Sequence, residues 1–241
     1  MRLLRHLPNA ITCGNLLAGF AGIYITLVEQ DLYAAVGCML LAALLDVADG
    51  AIARALGAAQ GIGKDLDSLA DVISFGVLPA FMGLAILQSS ALPSATFSGA
   101  WLVLPPAALV VCAALRLAKF NADPGQATFF KGLPTPAAAL GLAGLDVQFA
   151  TQDVAARHAG TAPAWVAGFL LATAALMVSR LPLISFKLPL HTTLRYWLAI
   201  VGVALASMPW AQGLCTLVGI GVYVLASQLY FKLAPAPSTT L

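Results

Sequence analysis

The sequence predicts an all-α integral membrane fold of eight transmembrane helices with both termini on the cytoplasmic side, and three observations predict it. Hydrophobic residues make up 61% of the 241-residue chain and charged residues only 9%, against about 25% charged in soluble domains. The apolar residues fall into stretches of membrane-spanning length separated by polar, Pro or Gly breaks. The basic residues, finally, are divided unevenly between alternate breaks.

In chain order the expected spans cover residues 10–29, 32–57, 66–89, 100–121, 134–150, 163–180, 194–208 and 212–232. Basic residues precede the first apolar run, as in a signal peptide, but Ile11 to Val28 is long enough to span and further spans follow. It reads as a retained first helix. There Gly14, Ala18 and Gly22 recur every four residues, a small-residue stripe that suits close helix packing rather than ligand binding. With the N-terminus inside, Arg2, Arg5, Arg54, Lys64, Arg116, Lys119, Lys131, Arg180, Lys187, Arg195 and Lys232 are cytoplasmic, and Arg157 alone is outside. An even number of spans returns the C-terminus to the cytoplasm, with 233–241 as a short disordered tail. The whole chain, 1–241, reads as a single membrane domain. Trp101, Trp165, Trp197, Tyr33 and Tyr196 fall near span ends, where interfacial aromatics belong.

Several functions are excluded early. A net charge of +2 is too small for a nucleic-acid binder. The four cysteines, Cys13, Cys38, Cys112 and Cys215, are single residues in apolar segments, so neither a disulfide framework nor a thiolate metal site is expected. Gly57 to Lys64 lacks the spacing of a phosphate loop, and Asp65 stands where Ser or Thr is required. There is no GxSxG elbow and no HExxH, and His6, His158 and His191 are far apart in sequence.

What remains is a set of acids in apolar surroundings: Asp46, Asp49, Asp67 and Asp71. An ionised Asp near a bilayer centre costs roughly 3 kcal/mol on insertion scales, so four without partners would cost on the order of 10 kcal/mol. A bound cation is the expected remedy. At ~100° per residue, Asp46, Asp49, Gly50, Ala53 and Arg54 share one helical face, and Asp67 and Asp71 lie one turn apart on the next helix. Two helices can therefore aim all four carboxylates into one cleft. Gly50 and Ala53 leave bare backbone between the acids, where a bulky charged ligand can approach. Ligation by oxygen alone suits magnesium or manganese and argues against zinc. Four carboxylates exceed the needs of one ion, and a pair of metals is the arrangement that clamps a phosphoryl group during displacement.

Acids inside a membrane also serve as proton relays or sodium sites, so a cation-coupled transporter is the competing class. Transporters of this size are often built from repeats, and residues 134–232 hold no second copy of the acidic motif. The full pattern, D-x2-D-G-x2-A-R-x8-G-x3-D-x3-D, resembles that of the CDP-alcohol phosphotransferase family, with every position filled. Members are membrane enzymes that move a substituted phosphoryl group from a CDP-linked donor to an alcohol and release CMP. The resemblance implies that Asp46, Asp49, Asp67 and Asp71 hold the metal ions. It also implies that Asp71 is the general base, and that Gly50, Ala53, Arg54 and Gly63 line the cytidine nucleotide site. It further implies a homodimer in the inner cell membrane, with the active site facing the cytoplasm.

Longer stretches are similar to the branch that makes phosphatidylserine: Asp67 to Pro79, Leu115 to Asn121, Phe130 to Pro136 and Val178 to Lys187, with Thr135 where an aliphatic residue is expected. That branch takes CDP-diacylglycerol and L-serine. Glycerol phosphate, inositol phosphate or choline are the alternative acceptors, because the acidic motif is common to the family. Arg116 and Lys131 are the candidates for holding the lipid phosphate or the serine carboxylate, with Lys119 an even choice between that and plain interfacial anchoring.

Overall fold

The computed structural model describes residues 6–57, 62–90, 100–122, 129–151, 162–179 and 181–184. Pro8 occupies the first turn of α1 (Leu7–Tyr24), where a missing N–H costs the helix nothing. α1 continues into a π-helical turn, Ile25–Glu29, and stops at Gln30, whose φ of 55° is left-handed. Asp31 caps α2 (Leu32–Ala55), its carboxylate accepting from the Ala34 amide at 3.0 Å. So short a connection makes α1 and α2 an antiparallel pair. Next come α3 (Ile62–Val72), a second π-helical turn at Ile73–Val77 and α4 (Leu78–Ser90), which run on as one continuous helical stretch. α5 (Ala100–Ala122), β1 (Phe129–Lys131), α6 (Thr135–Thr151), α7 (Ala162–Val178) and β2 (Pro182–Ile184) complete the order.

Two apolar cores share α4. Ala18, Val36, Met39, Phe75, Leu78 and Met82 join α1, α2 and the second π-helical turn. Ile86, Leu109, Leu142 and Leu170 join α4 to α5, α6 and α7. The outward faces are also apolar: Leu17, Phe20, Leu44, Val47, Val103 and Trp165 are all more than half exposed, as the lipid-facing side of a bundle requires. Leu7–Glu29, Leu32–Ala55, Ile62–Ser89 and Trp101–Ala122 are long and apolar enough to cross a membrane, and Thr135–Leu145 and Ala164–Val178 are shorter apolar helices. The expected spans at 194–208 and 212–232, and the tail 233–241, lie outside the described residues.

One expectation needs correction. The third helix begins at Ile62 rather than residue 66, so Gly63 and Lys64 are helical and Asp67 sits in its second turn. The described bundle is helical as expected, with one short strand pair added to it. β1 and β2 pair antiparallel, with Phe129 opposite Ile184 and Lys131 opposite Pro182. Pro182 and Gly132 account for it, since neither favours helix and both flank positions where the chain must reverse. Gly132 has φ +83°, and a Cβ there would run into the Met177 carbonyl oxygen. Its amide donates to Leu181 O and that of Leu133 to Leu176 O, each at 3.0 Å, which fastens the start of α6 to the end of α7.

Gly132 is therefore needed both for its backbone angle and for its missing side chain. Gly132→Ala is expected to lower stability by about 1–3 kcal/mol, read as a fall in the thermal unfolding midpoint of the detergent-solubilised protein.

Candidate metal centre

α2 presents Asp46 and Asp49 in its last turns, and α3 presents Asp67 and Asp71 in the facing ones. Carboxylate oxygens of Asp46, Asp49 and Asp67 lie within 4.8 Å of one another. Asp71 adjoins this trio, and its carboxyl lies within hydrogen-bonding reach of Asp46. Asp49 and Asp71 are 4% and 8% exposed, so water does not screen them fully. The opposite face of α2 carries Leu44 and Val47, both exposed, which confirms that the acids point inward.

Some of these oxygens have partners and some have none. The Thr12 hydroxyl lies 2.5 Å from Asp49 Oδ2 and 3.0 Å from Pro8 O. With one proton to give, it goes to the closer, charged acceptor. Asp67 Oδ1 and Asp71 Oδ1 are buried and unbonded. Three converging carboxylates with unpartnered oxygens and no nitrogen or sulfur donor among them fit a hard divalent cation. An ion seated there would satisfy the oxygens and offset the mutual repulsion of the acids.

The nucleotide-site candidates lie along the two acid-bearing helices, α2 and α3. Gly50 and Ala53 are half-buried beside Asp49. Arg54 is exposed and folds back along its helix, Nη1 lying 3.4 Å from where a Gly50 Cβ would sit. Gly63 lets α3 approach α1, because a Cβ there would come within 2.9 Å of Asn9 Oδ1. Lys64 Nζ donates to Asn121 O at 3.1 Å, and Asn121 Nδ2 donates to Ser68 Oγ at 2.7 Å, tying the start of α3 to the end of α5.

Arg116 and Lys131 are less alike than the sequence suggests. Arg116 is buried on α5, its guanidinium near Asp71, and Nη1 donates to Thr135 Oγ1 at 3.0 Å. Lys131 ends β1 just before the Gly132 turn, and its side chain lies outside what is described. Lys119, on α5, is exposed.

Thr12 and Asn15 on α1 lie at the site, although the small-residue stripe of that helix points only to packing. The signal for them in the sequence is a polar residue at 12 and another at 15, about one turn apart in an apolar stretch. Thr135 stands out in the sequence only as a departure from an aliphatic residue. It is fully buried and holds the Arg116 guanidinium.

Over 192 residues the chain is 35% identical to the CDP-diacylglycerol–serine O-phosphatidyltransferase of Mycobacterium leprae, covering 75% of this chain and 58% of that one. It is 33% identical over 137 residues to the Bacillus subtilis protein of the same name, covering 57% of this chain and 73% of that one. It is 38% identical over 136 residues to the archaetidylserine synthase of Methanothermobacter thermautotrophicus, covering 56% and 54%. The chain thus spans about half to three-fifths of the length of the mycobacterial and archaeal relatives it matches. A family model described as CDP-alcohol phosphatidyltransferase matches residues 5–233, nearly the whole sequence, and the chain belongs to that family.

Proposed function

We propose that this protein transfers the phosphatidyl group of CDP-diacylglycerol to the hydroxyl of L-serine, giving phosphatidylserine and CMP. The observation that carries the reading is the convergence of Asp46, Asp49 and Asp67 within 4.8 Å, beside a buried Asp71 that has Arg116 near it. Relatives named for transfer to serine support the choice of acceptor.

Asp46, Asp49, Asp67 and Asp71 would hold one or two ions of magnesium or manganese. Bound there, such ions neutralise the donor pyrophosphate and the departing CMP. Gly50, Ala53 and Gly63 keep side chains out of the way of the cytidine nucleotide, and Arg54 meets a phosphate oxygen. In the net reaction the serine Oγ gains a bond to the phosphatidyl phosphorus, the P–O bond to CMP breaks, and the hydroxyl proton passes to Asp71. Arg116, fixed by Thr135, takes the serine carboxylate, with Lys131 as a further cation for that carboxylate or the lipid phosphate. Hydroxyl and carboxylate are close neighbours on serine, and the nearness of Asp71 to Arg116 suits an acceptor of that size.

The eight-span arrangement, with both termini and the site on the cytoplasmic side of the inner membrane, belongs to this reading. Arg54, Lys64 and Lys119 support it, since they lie at the ends of α2, α3 and α5 on the acid cluster's side of the bundle, and basic residues favour the cytoplasmic face.

Purified protein given CDP-diacylglycerol and serine with magnesium or manganese is expected to release CMP and form phosphatidylserine. Chelation with EDTA should stop both, and CMP release that persists without divalent ions would refute the metal role. Asp71→Asn should cut kcat by about 10²–10⁴-fold, the usual worth of a general base, while CDP-diacylglycerol binding stays within a few-fold. Near-normal turnover in that variant would remove Asp71 from the role. Arg116→Ala is expected to raise the KM for serine by about 10–100-fold, as loss of a charged hydrogen bond of about 1.5–3 kcal/mol implies. The KM for the donor should change little, and a reversed pattern would move Arg116 to the lipid phosphate.

A further inference from the structure

Asn15, in the middle of α1, is fully buried, and neither its Nδ2 nor its Oδ1 has a hydrogen-bond partner. A carboxamide shut away from water with both ends unmet is unfavourable, and leucine or alanine would sit there at no such cost. Packing alone therefore gives no reason for asparagine.

Neighbouring contacts fix its level in the bundle. Along the antiparallel α1–α2 pair, Thr12 meets Asp49, Gly14 lies against Leu45, and Gly22 lies against Cys38. Asn15 therefore falls opposite Asp46. Along α3 and the turn after it, Gly63 lies against Asn9, Ser74 against Gly19, and Leu78 against Gly22. That register puts Asn15 level with Ala70 and Asp71. Ser74, three residues beyond Asp71, donates from Oγ to the Asn15 carbonyl at 3.1 Å, so α1 is clamped to the acid-bearing helix at this position. In the same layer Asp71 Oδ1 is buried and also has no partner.

We infer that Asn15 is a positioning residue for Asp71. Its Nδ2 donates to one carboxylate oxygen of Asp71 in the working enzyme and so fixes the direction in which the other oxygen faces the metal site and the acceptor. Carboxylates at metal and catalytic centres are commonly oriented by such outer partners, and losing one typically costs 10–100-fold in activity. The inference rests on the reading of Asp71 as the base.

The test compares the full-length wild type with N15L, N15A and N15S, measuring kcat, the KM of both substrates and the thermal midpoint of the metal-free protein. N15L and N15A are expected to lose 10–100-fold in kcat, with both KM values within about threefold of wild type. N15S, which keeps a hydroxyl donor, should recover part of the loss relative to N15A. N15L should unfold at the wild-type temperature or above, because it removes an unsatisfied amide without leaving a cavity. The inference is overturned if N15L keeps kcat within twofold, if activity falls only as folded protein is lost, or if none of the variants folds, which would mark Asn15 as structural. An inactive D71N beside an active N15L would sink this inference alone, whereas an active D71N would sink the base assignment beneath it.

Discussion

Carboxylates brought together inside an apolar bundle repel one another, and this repulsion is the constraint on which the rest of the molecule turns. Two unit charges 4–5 Å apart at an effective dielectric constant of 20 oppose each other by about 3–4 kcal/mol, and three such groups lie within 4.8 Å here. Helices meeting at that point would splay unless held from elsewhere or relieved by a cation. The arrangement provides for both. Buried oxygens of Asp67 and Asp71 without protein partners could take up a positive charge, while the apolar contacts away from the acids keep α2 and α3 from separating.

Those contacts depend on bare backbone. Ser74 lies so near the Gly19 Cα, and Leu78 and Cys38 so near that of Gly22, that a methyl group at either glycine would displace them. α1 can therefore lie deep in the groove between α2 and the acid-bearing helix, close enough for Thr12 to reach Asp49. The π-helical turn at Ile73–Val77 begins two residues after Asp71, and such turns recur at functional sites because the extra residue re-aims the faces on either side. Here it lets Ser74 face α1 and Gly76 face Ala113 of α5. Arg116 lies one turn beyond Ala113 on the same face of α5, which directs its guanidinium toward Asp71.

The parts of this structure that the sequence discloses are those governed by spacing along one helix. Asp46, Asp49, Gly50, Ala53 and Arg54 share a face because 3.6 residues make a turn, whatever surrounds them. Apolar length likewise announces α1, α2 and α5 almost to their ends. What stays hidden depends on contacts between helices distant in sequence. No periodicity tells that Thr135 reaches Arg116 across 19 positions, or that Asn15 lies level with Asp71. β1 and β2 are hidden for the same reason, since three-residue strands some fifty positions apart carry no pattern of their own. The early start of α3 is not legible in the sequence because Gly63 and Lys64 look like loop, whereas Gly63 is there to admit Asn9.

Thr135 shows how a departure from expectation can carry information. An aliphatic residue at that buried position would pack against α5 but remove the acceptor that Nη1 has in Thr135 Oγ1. Taking an acceptor from a buried cation is costly, and the released Nη1 would be drawn toward the nearby Asp71 carboxylate. An arginine drawn among the acids would occupy the space a divalent ion needs. The threonine hydroxyl, fixed at the first turn of α6 by the Gly132–Pro134 reversal, gives Nη1 a neutral acceptor at 3.0 Å. It thereby anchors part of the guanidinium outside the acid trio while leaving the charge near Asp71. The cation is in this way tied to the start of α6 while staying beside Asp71.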